Sequence, residues 1–168
     1  MAPGPASRAR QPGREDHVTE TTSLPEAFAA IVADFNAMAP SDRVQLLLDF
    51  SEGLPALPER LTDHPELLEP VPECQSPIFL TVEVDGTGPA APVALFFSAP
   101  PEAPTTRGFA GILAEGLDGL TAAQIVAVPN DVSATLGLAE VISPLRLRGM
   151  TGMLARIQRQ VREKAGLV

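Results

Sequence analysis

The stretch "PIFLTVEVDGTGPAAPVALFFS", Pro77 to Ser98, decides the fold. Ile78, Leu80, Val82 and Val84 alternate with Phe79, Thr81 and Glu83. A period of two marks a strand with one buried face. Asp85-Gly86 begins a turn, and Val93 to Ser98 supplies a second strand. With so little chain between them, the economical connection is an antiparallel hairpin. Part of Glu69 to Glu73 is expected to add a short third strand.

On both sides of this stretch the apolar period is helical. Ser23 and Glu26 have the spacing of a capping box, and Phe28, Ile31, Val32, Phe35 and Met38 recur at helical intervals. Pro40 is expected to end that helix and Ser41 to cap the next, whose inner stripe is Val44, Leu47 and Leu48. "EGLP", Glu52 to Pro55, stops it. A proline-rich, acidic connection runs from Ala56 to Pro72. After the hairpin, Thr106 is positioned to cap a helix carrying Phe109, Ile112 and Leu113. Thr121 and Gln124 form another capping-box pair. Asp131 or Ser133 starts a short helix around Val132 to Leu138. Ser143-Pro144 gives an N-cap followed by proline at the first helical position. Met150, Met153, Leu154, Ile157 and Val161 then mark one face of a long last helix. Gly108 and Gly111 read as small residues for close helix packing, Gly116 and Gly119 as helix stops. The order of helices, hairpin and helices predicts an α+β fold, a small antiparallel sheet packed on one face by several helices.

Length and composition agree with one domain. Of 168 residues 45% are hydrophobic, enough for a core, but with seven Phe and no Trp or Tyr that core must be mostly aliphatic. Met1 to Thr22 has almost no large apolar residue, so it is expected to be a disordered tail preceding a domain at 23–168. An Arg-rich targeting peptide is the alternative, and Glu15, Asp16 and Glu20 argue against it. The formal charge of −9 disfavours nucleic acid as a partner. The charge is uneven. Arg146, Arg148, Arg156, Arg159, Arg162 and Lys164 face only Glu163 in the last helix. This is either a solvated helix matching its own macrodipole or a basic docking edge for an acidic partner. No apolar run approaches the roughly 20 residues of a membrane span, and the N-terminus lacks a signal peptide's apolar middle. A cytosolic protein with no membrane association is expected.

The one cysteine, Cys74, lies in "VPECQSPIF", just ahead of the first hairpin strand. It excludes an internal disulfide. With His17 in the predicted tail and His64 in the acidic connection, the chain has no metal-ligand pattern. Neither a metal nor a cofactor is expected. A thiol hydrolase would need His64 brought to Cys74, which nothing in the sequence requires. There is no phosphate-binding loop, dinucleotide turn or nucleophile elbow. Glu69 and Glu73 would raise the thiol's pKa. From the residues alone, Cys74 reads equally as an inert cysteine or a reactive loop cysteine.

"ECQSPIF", Glu73 to Phe79, is similar to the cysteine loop of the SufE family, whose usual pattern is Gly-Cys-x-Ser leading into a Val-Trp strand. "SPLRLRGM", Ser143 to Met150, resembles the Ser-Pro-x-Arg-x-x-Gly start of that family's last helix. Thr106-Arg107-Gly108 falls where the family starts a helix with a Gly. The order of elements agrees from about Leu24 to Ala165. Glu73 stands in the family's glycine position, which suggests a less free loop, and Phe79 replaces Trp.

The resemblance implies a fold shared with the IscU scaffolds and a role as sulfur acceptor. In that role a pyridoxal-phosphate cysteine desulfurase presents a persulfide, the SufE-like thiol takes its outer sulfur, and the sulfur passes on to an iron–sulfur scaffold. Cys74 would be the acceptor. Glu73, Gln75, Ser76 and Arg146 would support the loop or contact the partner. A homodimer is compatible with this reading. The rival within the same fold is a docking module that regulates a desulfurase without carrying sulfur, and the rival outside it is the Cys74–His64 hydrolase.

Overall fold

The computed structural model describes residues 24–167. The alternating stretch forms the expected hairpin. Three antiparallel strands, β1 (Glu69–Pro70), β2 (Phe79–Val84) and β3 (Val93–Ser98), lie in the order β1-β2-β3. Val82 faces Leu95, and Leu80 faces both Phe97 and Glu69. Leu80, Val82, Val93, Leu95 and Phe97 are buried. Their alternation puts one face of the sheet on the core, so the fold is α+β, with helices against that face.

The described helices are α1 (Glu26–Ala37), α2 (Pro40–Glu52), α3 (Glu59–Thr62), α4 (Pro104–Leu117), α5 (Ala122–Val126) and α6 (Pro144–Ala165). Two 3₁₀ turns, Val132–Leu136 and Leu138–Glu140, replace the single short helix expected there. Among the described residues no helix is long and apolar enough to cross a membrane. The stripe Met150, Met153, Leu154, Ile157 and Val161 is buried against the sheet and α5. Each such side chain contributes about 1.5–3 kcal/mol on burial, which fixes the position of α6. Where the two-residue β1 stops, α6 takes over its edge role. Gln160 Oε1 accepts from the Val82 N–H at 2.9 Å, and Lys164 Nζ donates to Val82 O.

Several expected helix starts are corrected. α1 is preceded by Pro25, with no side-chain cap, and Ser23 lies outside the described residues. Pro40 does not end α1. It is the first residue of α2 after an extended Ala39, so Ser41 is inside the helix and caps nothing. Met38 lies beyond α1 and is exposed. Pro104 likewise opens α4, leaving Thr106 within it. The physical reason is common to α2 and α4. Proline has φ preset for the first helical position and lacks an N–H that would be unsatisfied there, while the residue before it is driven out of the α region. The Thr121–Gln124 capping box forms in both directions, and Ser143 caps α6. In α2 only Leu47 of the expected stripe is fully buried. Val44 and Leu48 are half-buried.

α2 crosses α4 at its glycines. A Cβ at Gly108 would lie 2.5 Å from Leu47 O, and one at Gly111 would lie 2.2 Å from Phe50 O. Gly116 is not a helix stop. It sits inside α4 under the Phe28 ring, whereas Gly119, at φ +79°, does end the segment. Replacing Gly111 by Ala is expected to cost about 2–3 kcal/mol and to lower Tm by about 5–10 °C in a thermal melt. Gly53→Ala, whose new methyl meets nothing nearer than 3.6 Å, is expected to leave Tm nearly unchanged.

Candidate functional site

Residues 71–78 form a closed loop because its ends pair, the Val71 N–H donating to Ile78 O at 2.9 Å. Inside it, Pro72–Cys74 makes one 3₁₀ turn, and the Cys74 N–H donates to Val71 O at 3.1 Å. The turn ends in Gln75, at φ 56°, the only non-glycine with positive φ among the described residues. A left-handed residue with a side chain costs about 1–2 kcal/mol. The surrounding contacts must hold it there. Glu73 does not have positive φ. Its position therefore does not need glycine's access to positive φ.

α6 supplies those contacts through a second stripe, Gly149, Gly152, Arg156 and Arg159, beside its apolar one. A Cβ at Gly149 would come within 3.0 Å of Cys74 Sγ, and one at Gly152 within 3.1 Å of the Glu73 carboxylate. A side chain at either position would press the turn outward by a few tenths of an ångström. Arg156 then grips Glu73 with two nitrogens, Nη1 to Oε2 at 2.8 Å and Nη2 to Oε1 at 3.1 Å. Arg156 Nε also lies 3.6 Å from Glu69. Arg159 pairs with Glu69, and Gln160 Nε2 donates to Glu69 at 2.8 Å. The pairs are partly exposed and worth about 1 kcal/mol or less each, but together they tie the turn and β1 to one helix face. Burial opposes ionisation of Glu69, yet Gln160 and Arg159 hold its carboxyl below the usual range. Glu73 is held low by a backbone hydrogen bond first and Arg156 next.

Cys74 is half-buried. Burial, and secondarily the Glu73 charge, push its thiol up to about 12, against a smaller opposing effect of Arg156. The sequence anticipated the direction from Glu73, while Glu69, paired with Arg159, is not among the causes. The larger cause, burial against α6, was not visible there.

The remaining candidates separate. Gln75 is exposed and Ser76 half-buried, with Ser76 O accepting from the Ile78 N–H at 2.7 Å. Arg146 is exposed in the first turn of α6, one turn before Gly149. Its guanidinium makes no hydrogen bond among the described residues, so it does not brace the loop in this state. His64 is exposed and pairs with Glu66, Nδ1 to Oε1 at 2.8 Å, making no hydrogen bond to Cys74. Of the basic residues of α6, Arg156, Arg159 and Lys164 are engaged within the fold. Arg156, Arg159, Gly149 and Gly152 were not singled out as site residues from the sequence, although their helical spacing on one face was a readable signal.

The reactive form of a thiol is the thiolate. Iodoacetamide is therefore expected to alkylate folded Cys74 at pH 8 at least about a hundredfold more slowly than the urea-unfolded chain. The rate should keep rising about tenfold per pH unit beyond pH 9, where an ordinary thiol levels off. Glu73→Gln removes a charge that raises the pKa and releases the turn, so it is expected to speed alkylation about fivefold or more. Peptide mass mapping of the alkylated site checks both.

Comparison with known proteins agrees with the fold. The chain is 56% identical over 146 residues to an uncharacterized SufE-like protein of Mycobacterium tuberculosis, covering 87% of this chain and 99% of that protein. A chloroplastic/mitochondrial SufE-like protein of Arabidopsis thaliana is 23% identical over 157 residues, 93% of this chain and 40% of that one. The solution structure of a hypothetical protein from Thermus thermophilus superposes with a TM-score of 0.72 at 36% identity, covering 84% of this chain and 98% of that one. The family described as SufE, an Fe-S metabolism associated domain, matches residues 29–161. By that match and that identity the chain belongs to the SufE family.

Proposed function

We propose that the protein accepts sulfur on Cys74 from a cysteine desulfurase and delivers it toward iron–sulfur cluster assembly. The observation that carries this reading is the single cysteine on a strained turn, packed against Gly149 with its thiol held protonated. Such a group is quiet in the free protein and becomes nucleophilic once a partner draws the turn off α6.

The step is an exchange at sulfur. The Cys74 thiol loses its proton to a base of the partner site. Its thiolate attacks the outer sulfur of the desulfurase persulfide, the S–S bond breaks, and the desulfurase thiolate leaves. No electrons are gained or lost overall, and no second cysteine is needed on the acceptor. Glu73 restrains the thiol through charge and through Arg156. Gln75 and Ser76 form the part of the turn that the partner meets. Arg146, exposed one helical turn away and making no side-chain hydrogen bond among the described residues, contacts an acidic group of the desulfurase. The cytosol, where thiols stay reduced, suits this chemistry.

Incubation with a cysteine desulfurase and free cysteine, followed by intact mass measurement, is expected to show one added sulfur on the wild-type chain and none on Cys74→Ser. Equal stimulation of the desulfurase by wild type and Cys74→Ser, with no sulfur gained by either, would replace this reading with that of a docking module. Arg146→Glu is expected to weaken desulfurase binding about tenfold in a titration, with an unchanged thermal melt because the residue is exposed.

A further inference from the structure

β3 is paired with β2 along one edge and open along the other. Alternate strand residues present their backbone groups to the same edge, so Val93, Leu95 and Phe97 all face outward. The fold covers the two ends of this edge and leaves its middle open; past the strand, Arg107 Nη1 donates to Ala99 O at 2.7 Å. The Val93 N–H donates to Leu120 O at 2.9 Å, and Val93 O accepts from the Gly119 N–H at 2.8 Å. The Leu95 N–H donates to Asp118 Oδ1 at 2.8 Å. Beyond that point, Leu95 O and both backbone groups of Phe97 have no partner among the described residues.

Beside this open stretch lies a groove of about 590 Å³. Four consecutive β3 residues, Ala94 to Phe97, line it. Successive strand side chains point to opposite faces, so a groove touching all four runs along the strand edge rather than over one face. The facing wall is apolar, with Leu46, Phe50 and Leu57 half-buried. The ionisable lining residues are Asp49, Glu115 and Asp118, and no Lys, Arg or His joins them. None of the three forms an ion pair among the described residues. Among the described residues the Asp49 carboxylate accepts only from Gln45, at 3.0 Å.

We propose that this edge and groove bind an extended segment of a partner protein, an apolar residue or two flanked by Arg or Lys. Its backbone adds a fourth strand beside Leu95 and Phe97, its apolar side chains fill the groove, and its cations face Asp49 and Glu115. The open Leu95 O, Phe97 N–H and Phe97 O select an extended backbone, the apolar walls select the anchor, and the carboxylates of Asp49 and Glu115 select the sign of the flanks. The chain's own Met1–Thr22 carries Arg8, Arg10 and Arg14, but apart from Met1 and its prolines Val18 is its only apolar residue larger than alanine. That segment therefore matches the charge and not the groove. No residue of the cysteine turn or of α6 lines the groove. It can be occupied while Cys74 is engaged elsewhere, and it is independent of sulfur transfer.

The test is a titration of fluorescein-labelled synthetic peptides of alternating Val and Leu, flanked by Arg or by Glu, with the full-length protein. Anisotropy is expected to show the Arg-flanked peptide binding at least about tenfold more tightly than the Glu-flanked one. A central proline in the peptide, which removes a strand donor, should abolish that binding. Asp49→Lys combined with Glu115→Lys should reverse the preference while circular dichroism is unchanged. No binding of the Arg-flanked peptide, or binding indifferent to proline and to charge reversal, overturns the proposal. Binding only after Arg8→Ser, Arg10→Ser and Arg14→Ser assigns the groove to the chain's own N-terminal segment and also overturns it. So does a dimer in sedimentation that excludes the peptide.

Discussion

The close approach of Cys74 to α6 at Gly149 is the contact on which the site depends. A methyl group there would stand 3.0 Å from the sulfur and push the turn away. With no side chain in the way, the turn settles onto the helix, loses water around the thiol, and brings Glu73 within reach of Arg156. The helix can serve this purpose because its other stripe is anchored in the core. The same twenty-odd residues thus fix the sheet on one side and the reactive group on the other, and burial of Met153 or Ile157 is indirectly what keeps the sulfur protonated.

Charge is arranged to the same end. The basic character of α6 looked like either a solvated face or a docking edge. Structure divides it between internal and external roles. Arg156, Arg159 and Lys164 pair with groups of β1, β2 and the cysteine turn, while Arg146, Arg148 and Arg162 are exposed and make no side-chain hydrogen bond among the described residues. Arg146, one helical turn before Gly149, puts a positive charge near the cysteine turn, beside the Glu73–Arg156 pair.

The hairpin and the apolar face of α6 were legible in the sequence because both are short-range periodic patterns with strong apolar residues. Helix starts were less so. Ser41 and Thr106 have the right chemistry for caps, but Pro40 and Pro104 stand ahead of them with a stronger geometric preference. Cys74 could be located as the one thiol in a loop, and its acidic neighbour gave the direction of its pKa. Its burial could not be read, because the residues that bury it lie far along the chain. Glu73 and Arg156 are separated by 83 positions, and no local pattern joins them. Gly149 is visible in the sequence as a glycine inside a helix, yet what it makes room for becomes evident only when the two segments meet.

The chain has one sulfur of its own that can be oxidised at a thiol. A sulfenic acid formed on Cys74 would find no neighbouring thiol to condense with, and its further oxidation to sulfinic acid is irreversible for most proteins. Peroxide attacks the thiolate, so a thiol kept neutral on α6 is also a thiol kept slow to oxidise. The strained turn at Gln75 and its packing against glycine therefore set how long the thiol survives peroxide. A looser loop would be lost to oxidation sooner.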